Sequence, residues 1–217
     1  MKDLFEPVVS GSNARAMDAE TGWTRVPDGE WMYRPDFYTD SEADRLMESL
    51  MREIPWSLHQ IRIFGRWVNE PRQTAWFGDP EAVYTYSGVT MKPAPWTAAL
   101  MNLRRTVEAA SGAVFNSVLL NLYRGGQDSM GWHSDDEPEL GTNPVIASLS
   151  FGAERRFLLK HRTNAEERRE IVLGHGSLLV MGGALQHHWQ HSIPKSARIH
   201  TPRINLTFRQ IRRPGSF

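Results

Sequence analysis

The first regular alternation of apolar and polar positions begins at Thr39. Ala43, Leu46, Met47, Leu50 and Met51 recur at three- and four-residue intervals, as on one face of a helix, and Pro55 ends the run. Thr39 and Glu42 stand at capping-box spacing, where two side chains satisfy otherwise orphaned amides at the helix start. A second helix is predicted from residue 95 to about residue 110, with Trp96, Leu100, Leu103 and Val107 on one face and Gly112 just past its end. Between the helices the chain is aromatic and β-favouring at 61–67, 76–77 and 84–86, and Gly65, Pro71 and Gly88 divide it into hairpins. Residues 1 to about 30 are rich in Gly, Ser, Asn, Asp and Glu and predict an irregular arm.

Beyond Phe115 the period changes to two. Residues 118–123, 145–151, 156–161, 169–173, 177–181 and 203–211 are short, β-favouring runs separated by Gly, Pro, Asn or Asp. Strands of this length and spacing predict a sandwich or jelly roll. The expected class is α+β, mainly β. Its parts are an arm (1–30), a segment of helices and hairpins (31–114) and a β-rich core (115–213).

Composition narrows the possibilities. A chain of 217 residues with 40% hydrophobic content supports one good core, hence one catalytic unit. Lys and Arg (25) balance Asp and Glu (25), so no global positive field draws the protein onto nucleic acid, and any such contact must come from local patches. The absence of cysteine excludes disulfides, thiolate metal sites and cysteine nucleophiles. No run approaches the ~20 apolar residues of a membrane span, and the first residues lack the apolar core of a leader. These features predict a soluble intracellular protein, cytoplasmic or nuclear/nucleoid, monomeric and without a membrane partner.

The candidate chemistry lies late in the chain. His133 and Asp135 are two residues apart, so on an extended strand end they point to the same side and can share an ion. A third ligand must come from the segment Gln186-His187-His188-Trp189-Gln190-His191. Period two puts His187 and His191 on one face and leaves the choice between them open. Two imidazoles and a carboxylate hold three facial positions of Fe(II) and leave three for an organic cosubstrate and dioxygen. In the last strand Arg203, Asn205, Thr207 and Arg209 alternate with Ile204, Leu206 and Phe208. Alternation alone describes a sheet with one wet face. Two arginines on an inward face opposite a metal would instead clamp a dicarboxylate, although six residues of strand span roughly 20 Å and the side chains must converge. Asn121 and Tyr123 share a face of an earlier strand and offer an amide and a phenol.

These residues resemble the AlkB family of iron(II) and 2-oxoglutarate dependent nucleic-acid dealkylases. The match runs from about Ile61 to Ile211. It includes Asn121-Leu-Tyr123, Trp132-His-Ser-Asp-Asp-Glu137, His175-Gly-Ser-Leu-Leu, Trp189-Gln-His191-Ser-Ile-Pro and Pro202-Arg-Ile-Asn-Leu-Thr-Phe-Arg209. The resemblance implies a double-stranded β-helix (jelly-roll) core, with two N-terminal helices and a hairpin-rich nucleotide-recognition lid beside it. It implies His191 as the third iron ligand with His133 and Asp135, and Arg203 on the distal carboxylate of 2-oxoglutarate. Arg209 then lies near the keto-acid end, with Asn121, Tyr123, Asn205 and Thr207 lining the site.

Ile63-Phe64-Gly65-Arg66-Trp67 resembles the wedge hairpin of the branch acting on double-stranded DNA, in which an aromatic ring fills the gap left by an extruded base. Arg62, Arg66 and Arg72 would supply the local positive patch. Tyr84 and Tyr86 resemble residues lining the flipped-base pocket, and Asp136 and Glu137 resemble acidic contacts that favour a cationic alkylated base. The implied partner is DNA carrying 1-methyladenine or 3-methylcytosine, probed as duplex first and as single-stranded DNA or RNA second. The implied reaction couples 2-oxoglutarate and O2 to succinate, CO2 and formaldehyde. Two alternatives are a 2-oxoglutarate oxygenase acting on RNA, protein or a small molecule, and a non-enzymatic jelly-roll binding protein.

Overall fold

A computed structural model describes residues 22–63, 66–86 and 89–212. Among them no helix is long and apolar enough to cross a membrane.

Both predicted helices form. The first, α1 (Asp40–Glu53), carries the full capping box: the Thr39 side chain accepts from the third helical amide, and Glu42 accepts from the Thr39 backbone. The second, α2 (Ala98–Ser111), starts three residues later than predicted because Thr97, rather than a residue near Pro95, caps it by accepting from the Leu100 amide. It ends at Gly112, whose φ of 68° is the left-handed conformation glycine adopts without strain.

Two antiparallel sheets make the core. The larger contains β1 (Trp23–Val26), β2 (Gly29–Arg34), β5 (Gln73–Gly78), β8 (Ser117–Tyr123), β10 (Ile146–Gly152), β13 (Ser177–Gly182) and β15 (Arg203–Arg209), in the order β1-β2-β13-β10-β15-β8-β5. The smaller contains β9 (Met130–His133), β11 (Arg155–His161), β12 (Arg168–Leu173) and β14 (Trp189–Ile193), in the order β12-β11-β14-β9. A one-turn helix, α3 (Leu185–His188), joins β13 to β14. Two short pairs stand apart from these sheets: β3 (Gln60–Ile63) with β4 (Arg66–Asn69), and β6 (Tyr84–Tyr86) with β7 (Val89–Met91).

The large sheet is buried on both faces, and that explains its near-continuous apolar strands. One face packs Val118, Leu120, Leu149, Leu206 and Phe208 against Ala43 and Leu50 of α1 and Leu100, Leu103 and Val107 of α2. The other packs Ile146, Leu179 and Met181 against Phe157, Leu159, Ile171 and Trp189 of the small sheet. Functional side chains therefore sit between the two sheets, away from the helices.

Two expectations need correction. The arm predicted for residues 1 to 30 is not irregular over 23–30. That stretch forms the β1–β2 hairpin, and β2 pairs with β13 (Met32 opposite Val180), extending the large sheet. Its strands escape a composition-based reading because they are short and mixed, while Trp31 and Met32 find their burial only against the distant β13. Residues 1–21 lie outside the described residues. Likewise Trp76 and Phe77 belong to no local hairpin: β5 pairs with β8, forty-one residues on in sequence at Phe77 and Val118, and forms an edge of the large sheet.

Candidate active site

His133 and His191 face each other across paired strands. They are direct partners in the β9–β14 register, and their ring centroids lie 4.2 Å apart. Asp135 follows the end of β9, and its carboxylate joins the two imidazoles so that one donor atom from each residue lies within 4.8 Å of the others. The dipeptide after β9, Ser134-Asp135, is fastened to the segment bearing His191: the Ser134 hydroxyl donates to the Trp189 carbonyl (2.7 Å), and the Asp135 amide donates to Gln186 Oε1 (3.1 Å).

The protonation of these groups suits a divalent cation. Burial pushes the His191 imidazole down to about 3, and the adjoining His133 adds to the effect, so His191 is neutral and keeps a lone pair for a metal. Burial opposes ionisation of Asp135, but Arg209, His191 and His133 outweigh it and hold the carboxyl below its ordinary range. The His133 Nδ1 lies 2.9 Å from the Gly131 carbonyl, an acceptor that requires the proton on Nδ1 and so leaves the Nε2 lone pair available.

His187, the competing candidate for third ligand, does not take part. It lies in α3 rather than on a strand, so period two does not apply to it, and its Nε2 accepts from the Asn143 amide at 3.2 Å.

A second His-His-Asp group, Asp28, His161 and His188, also brings its donor atoms within 4.8 Å of one another. Its hydrogen bonding is opposite to that of His133. The His161 Nδ1 accepts from the amides of Thr163 (3.3 Å) and Asn164 (3.2 Å), which puts the proton on Nε2, where it faces Asp28 Oδ2 at 3.2 Å. A protonated nitrogen is no ligand. The expected outcome is one equivalent of bound metal per chain, unchanged by His161→Ala and lost in His191→Ala. Metal analysis after dialysis against Fe(II) or Co(II) tests it, and a second equivalent sensitive to His161→Ala would reverse the assignment.

The inward face of β15 supplies the rest of the site. Arg203, Asn205 and Thr207 are all buried, so the polar face of this strand is an internal lining and not a wet surface. Register explains who joins them: Arg203 lies opposite Tyr123, and Asn205 opposite Asn121. The two arginines do not converge on one point. Arg209 Nη2 donates to Asp135 Oδ1 at 2.7 Å, at the metal end. Arg203 lies at the other end, with Nη2 donating to Ser150 Oγ (2.9 Å) and the guanidinium over the Tyr123 ring at 5.2 Å. Asn121, Tyr123, Asp135, Arg203, Asn205, Thr207 and Arg209 line one cavity between the sheets.

That cavity fits a dicarboxylate. Nε and Nη1 of Arg203 are buried with no hydrogen-bond partner, and burial pulls this guanidinium down to about 10. A buried cation with two idle donors is costly unless an anion completes it. Asn205 is already spent on Ser148 Oγ (2.7 Å), the Leu149 carbonyl (2.9 Å) and Thr207 Oγ1 (3.0 Å), and it holds the wall in shape.

The sequence-predicted substrate residues are only partly described. Phe64 and Gly65, the two residues between Ile63 and its β4 partner Arg66, lie outside the described residues, as do the side chains of Arg66, Tyr84 and Tyr86. Arg72 is not part of an exposed positive patch. It is largely buried, its Nε donates to Asn121 Oδ1 at 2.8 Å, and its Nη2 pairs with Glu70 at 3.6 Å. Gln73 at the start of β5 pairs with Leu122 of β8, which carries the neighbouring Arg72 to the cosubstrate wall. Asp136 stands at the rim, where Arg162 Nη2 donates to its Oδ2 (2.7 Å) and to Ser134 Oγ (2.8 Å). Glu137 follows directly and caps the short 3-10 turn Pro138–Leu140.

Three side chains that the motifs did not single out also shape the site. Phe157 stacks on His191 at 5.1 Å, and the alternation of β11 could have revealed it, since Arg155, Phe157, Leu159 and His161 all face inward. Gln186 and Arg162 act across 51 and 28 residues of sequence, and no local pattern announces either.

Comparison with known proteins agrees with this geometry. Residues 30–209 match the family model of the 2OG-Fe(II) oxygenase superfamily. The alpha-ketoglutarate-dependent dioxygenase alkB homolog 3 of Bos taurus is 46% identical over 186 residues, 82% of this chain and 64% of that protein. This chain belongs to the AlkB family of 2OG-Fe(II) oxygenases. The DNA oxidative demethylase ALKBH2 of Bos taurus is 41% identical over 181 residues, covering 79% of this chain and 65% of its own length. The chain thus spans a little under two thirds of these relatives. Among solved structures, OsALKBH1 superposes with a TM-score of 0.59 at 18% identity, covering 83% of this chain and 97% of that one. A Trichoplax adhaerens prolyl hydroxylase follows at 0.56 and 14%, covering 83% of each chain. At such identities these two similarities speak for the jelly-roll fold alone. The family implies Fe(II), 2-oxoglutarate and O2 as cofactor and cosubstrates, and His133, Asp135, His191 and Arg203 are the residues whose donors fit them.

Proposed function

We propose that this protein demethylates N-alkylated DNA bases, 1-methyladenine and 3-methylcytosine, using 2-oxoglutarate and O2, and that it works as a monomer. The observation that carries the reading is the pairing of the His133, Asp135 and His191 donors with two arginines at opposite ends of a single cavity. Bound iron and 2-oxoglutarate supply the oxidising chemistry. The methyl carbon gains a hydroxyl as 2-oxoglutarate goes to succinate and CO2. The hydroxymethyl C–N bond then breaks, its electron pair returns to the ring nitrogen, the hydroxyl proton passes to solvent, and formaldehyde leaves.

The chain's own residues bind, orient and select. His133, Asp135 and His191 hold the iron. Arg203 and Tyr123 take the distal carboxylate, while Arg209 orients Asp135 at the keto-acid end. Asn121, held by Arg72, and Thr207, held by Asn205, complete the lining. Asp136, oriented by Arg162, and Glu137 favour the positive charge of an alkylated base. Phe64, with Gly65 and Arg66, fills the gap left by the flipped base, and Tyr84 and Tyr86 line its pocket.

The names of the relatives support a nucleic-acid substrate, since one of them is a DNA oxidative demethylase. Mass spectrometry of duplex and single-stranded oligonucleotides carrying 1-methyladenine, incubated with the protein, Fe(II) and 2-oxoglutarate, tests the proposal. Loss of one methyl from DNA with release of formaldehyde is the expected result. Succinate formation with every DNA oligonucleotide unchanged would redirect the activity to RNA, protein or a small molecule, and absence of any succinate would overturn the enzyme reading.

A further inference from the structure

Arg155, the first residue of β11, is a buried cation that the reaction as described does not use. It is 2% exposed, yet it forms no ion pair among the described residues. Its donors go to neutral carbonyls: Nη2 to Asp128 (2.8 Å) and Pro194 (2.7 Å), and Nη1 to Gly125 (3.3 Å). The carboxylate of Asp128, the nearest candidate counter-ion, is taken by a two-pronged bond from Arg124 at 2.8 and 2.9 Å. The Arg155 guanidinium lies over the Tyr123 ring at 5.5 Å, the same ring that Arg203 covers at 5.2 Å. Two buried guanidiniums therefore share one phenol ring at the far end of the cavity. Arg203 has idle donors, whereas three of the five N–H groups of Arg155 are committed to carbonyls.

We propose that Arg155 is a specificity-determining residue that selects a cosubstrate with a second carboxylate through its charge, without touching it. The inference rests on the reading that Arg203 binds the distal carboxylate of 2-oxoglutarate. Arg155 and Arg203 repel each other even though each is drawn to the face of the Tyr123 ring, and an anion at Arg203 relieves both charges at once. A keto acid lacking the distal carboxylate offers no such relief and feels neither cation. The carbonyl bonds keep Arg155 in place with no carboxylate in contact, and Asp128, already paired with Arg124, offsets its charge only at a distance, the arrangement a long-range selector needs. A loop pin alone would call for the hydrogen bonds but not for a net charge.

The test compares 2-oxoglutarate with 2-oxobutyrate, which lacks only the distal carboxylate, by calorimetric titration of the nickel(II)-loaded full chain. Arg155→Gln is expected to weaken 2-oxoglutarate about tenfold, the scale of one unit charge at this range in a protein interior, and to leave 2-oxobutyrate within about twofold. Arg155→Lys keeps the charge and loses the fork, and is expected to retain most of the preference for 2-oxoglutarate. Equal weakening of both ligands in Arg155→Gln would make the residue a loop pin and overturn the proposal. Should Arg155→Gln not fold, Arg155→Lys decides: folded protein that keeps the preference supports the charge role, and folded protein that loses it overturns that role. Arg203→Gln separates this inference from its premise. If that variant binds 2-oxoglutarate as the natural protein does, the assignment of Arg203 fails first.

Discussion

Asp135→Asn is expected to abolish iron-dependent turnover while leaving the fold in place. The substitution conserves volume at a site that is 4% exposed, so packing against its neighbours is kept. What changes is the charge and the lone pairs. The carboxylate is the only anion among the three clustered donors, and its Oδ1 accepts from Arg209 at 2.7 Å. An amide would offer the metal one neutral oxygen at best, and its NH2 would face the Arg209 donors if the oxygen turned to the metal. Losing a supporting partner of a metal ligand costs about 10- to 100-fold in metal affinity, and losing the anionic ligand itself is expected to cost more than that. Bound Fe(II) per chain, succinate formed per minute and far-ultraviolet circular dichroism together test this. Stoichiometric iron and undiminished succinate in Asp135→Asn would remove this residue from the ligand set.

Phe208→Ala is expected to be the most damaging change outside the site. Phe208 is fully buried on the helix-facing side of β15 and packs against Phe115, ring centroids 6.0 Å apart. The contact joins an interior strand of the large sheet to the connection between α2 and β8, so the cavity left by alanine opens within the helix-facing core. Buried Phe→Ala changes cost about 3–5 kcal/mol, and at an m-value of about 2 kcal/mol/M the urea midpoint falls by about 2 M. The side chain points away from the cavity and the His133, Asp135 and His191 cluster, because its neighbours Thr207 and Arg209 occupy the opposite face. Metal affinity of the folded variant should therefore match that of the natural protein. A midpoint shift under about 0.5 M would mean that the surrounding helix had collapsed into the space.

Much of this was legible along the chain, and particular residues show why. The α1 capping box needs only Thr39 and Glu42 three residues apart, and α2 needs only a three-and-four pattern with a glycine after it; both are local, and both formed. The inward face of β15 followed from period two alone. Whether that face met water or a cavity did not follow, because burial depends on the small sheet closing over it. The β1–β2 hairpin was missed for a related reason: its partner β13 lies about 150 residues away, and four- and six-residue strands carry little signal without it. Arg72 looked like a surface charge beside other arginines until the pairing of β5 with β8 carried it to Asn121.

The sequence by itself determined the donor types, their spacing and the alternation that sets Arg203, Asn205, Thr207 and Arg209 on one side, because residue chemistry and strand period are local properties. Strand period left His187 and His191 equal, and the family resemblance pointed to His191. The physical reason came from the tertiary structure, which winds His187 into a one-turn helix and pairs His191 with His133. It likewise decided which of two His-His-Asp groups can take a metal, through the amides that reach His161 Nδ1 and the carbonyl that faces His133 Nδ1. Lone-pair direction depends on the partner across the fold, and no reading of neighbours in sequence supplies it. The placing of Arg155 among carbonyls, with no carboxylate in contact, belongs to the same class, since each of its acceptors comes from another part of the chain.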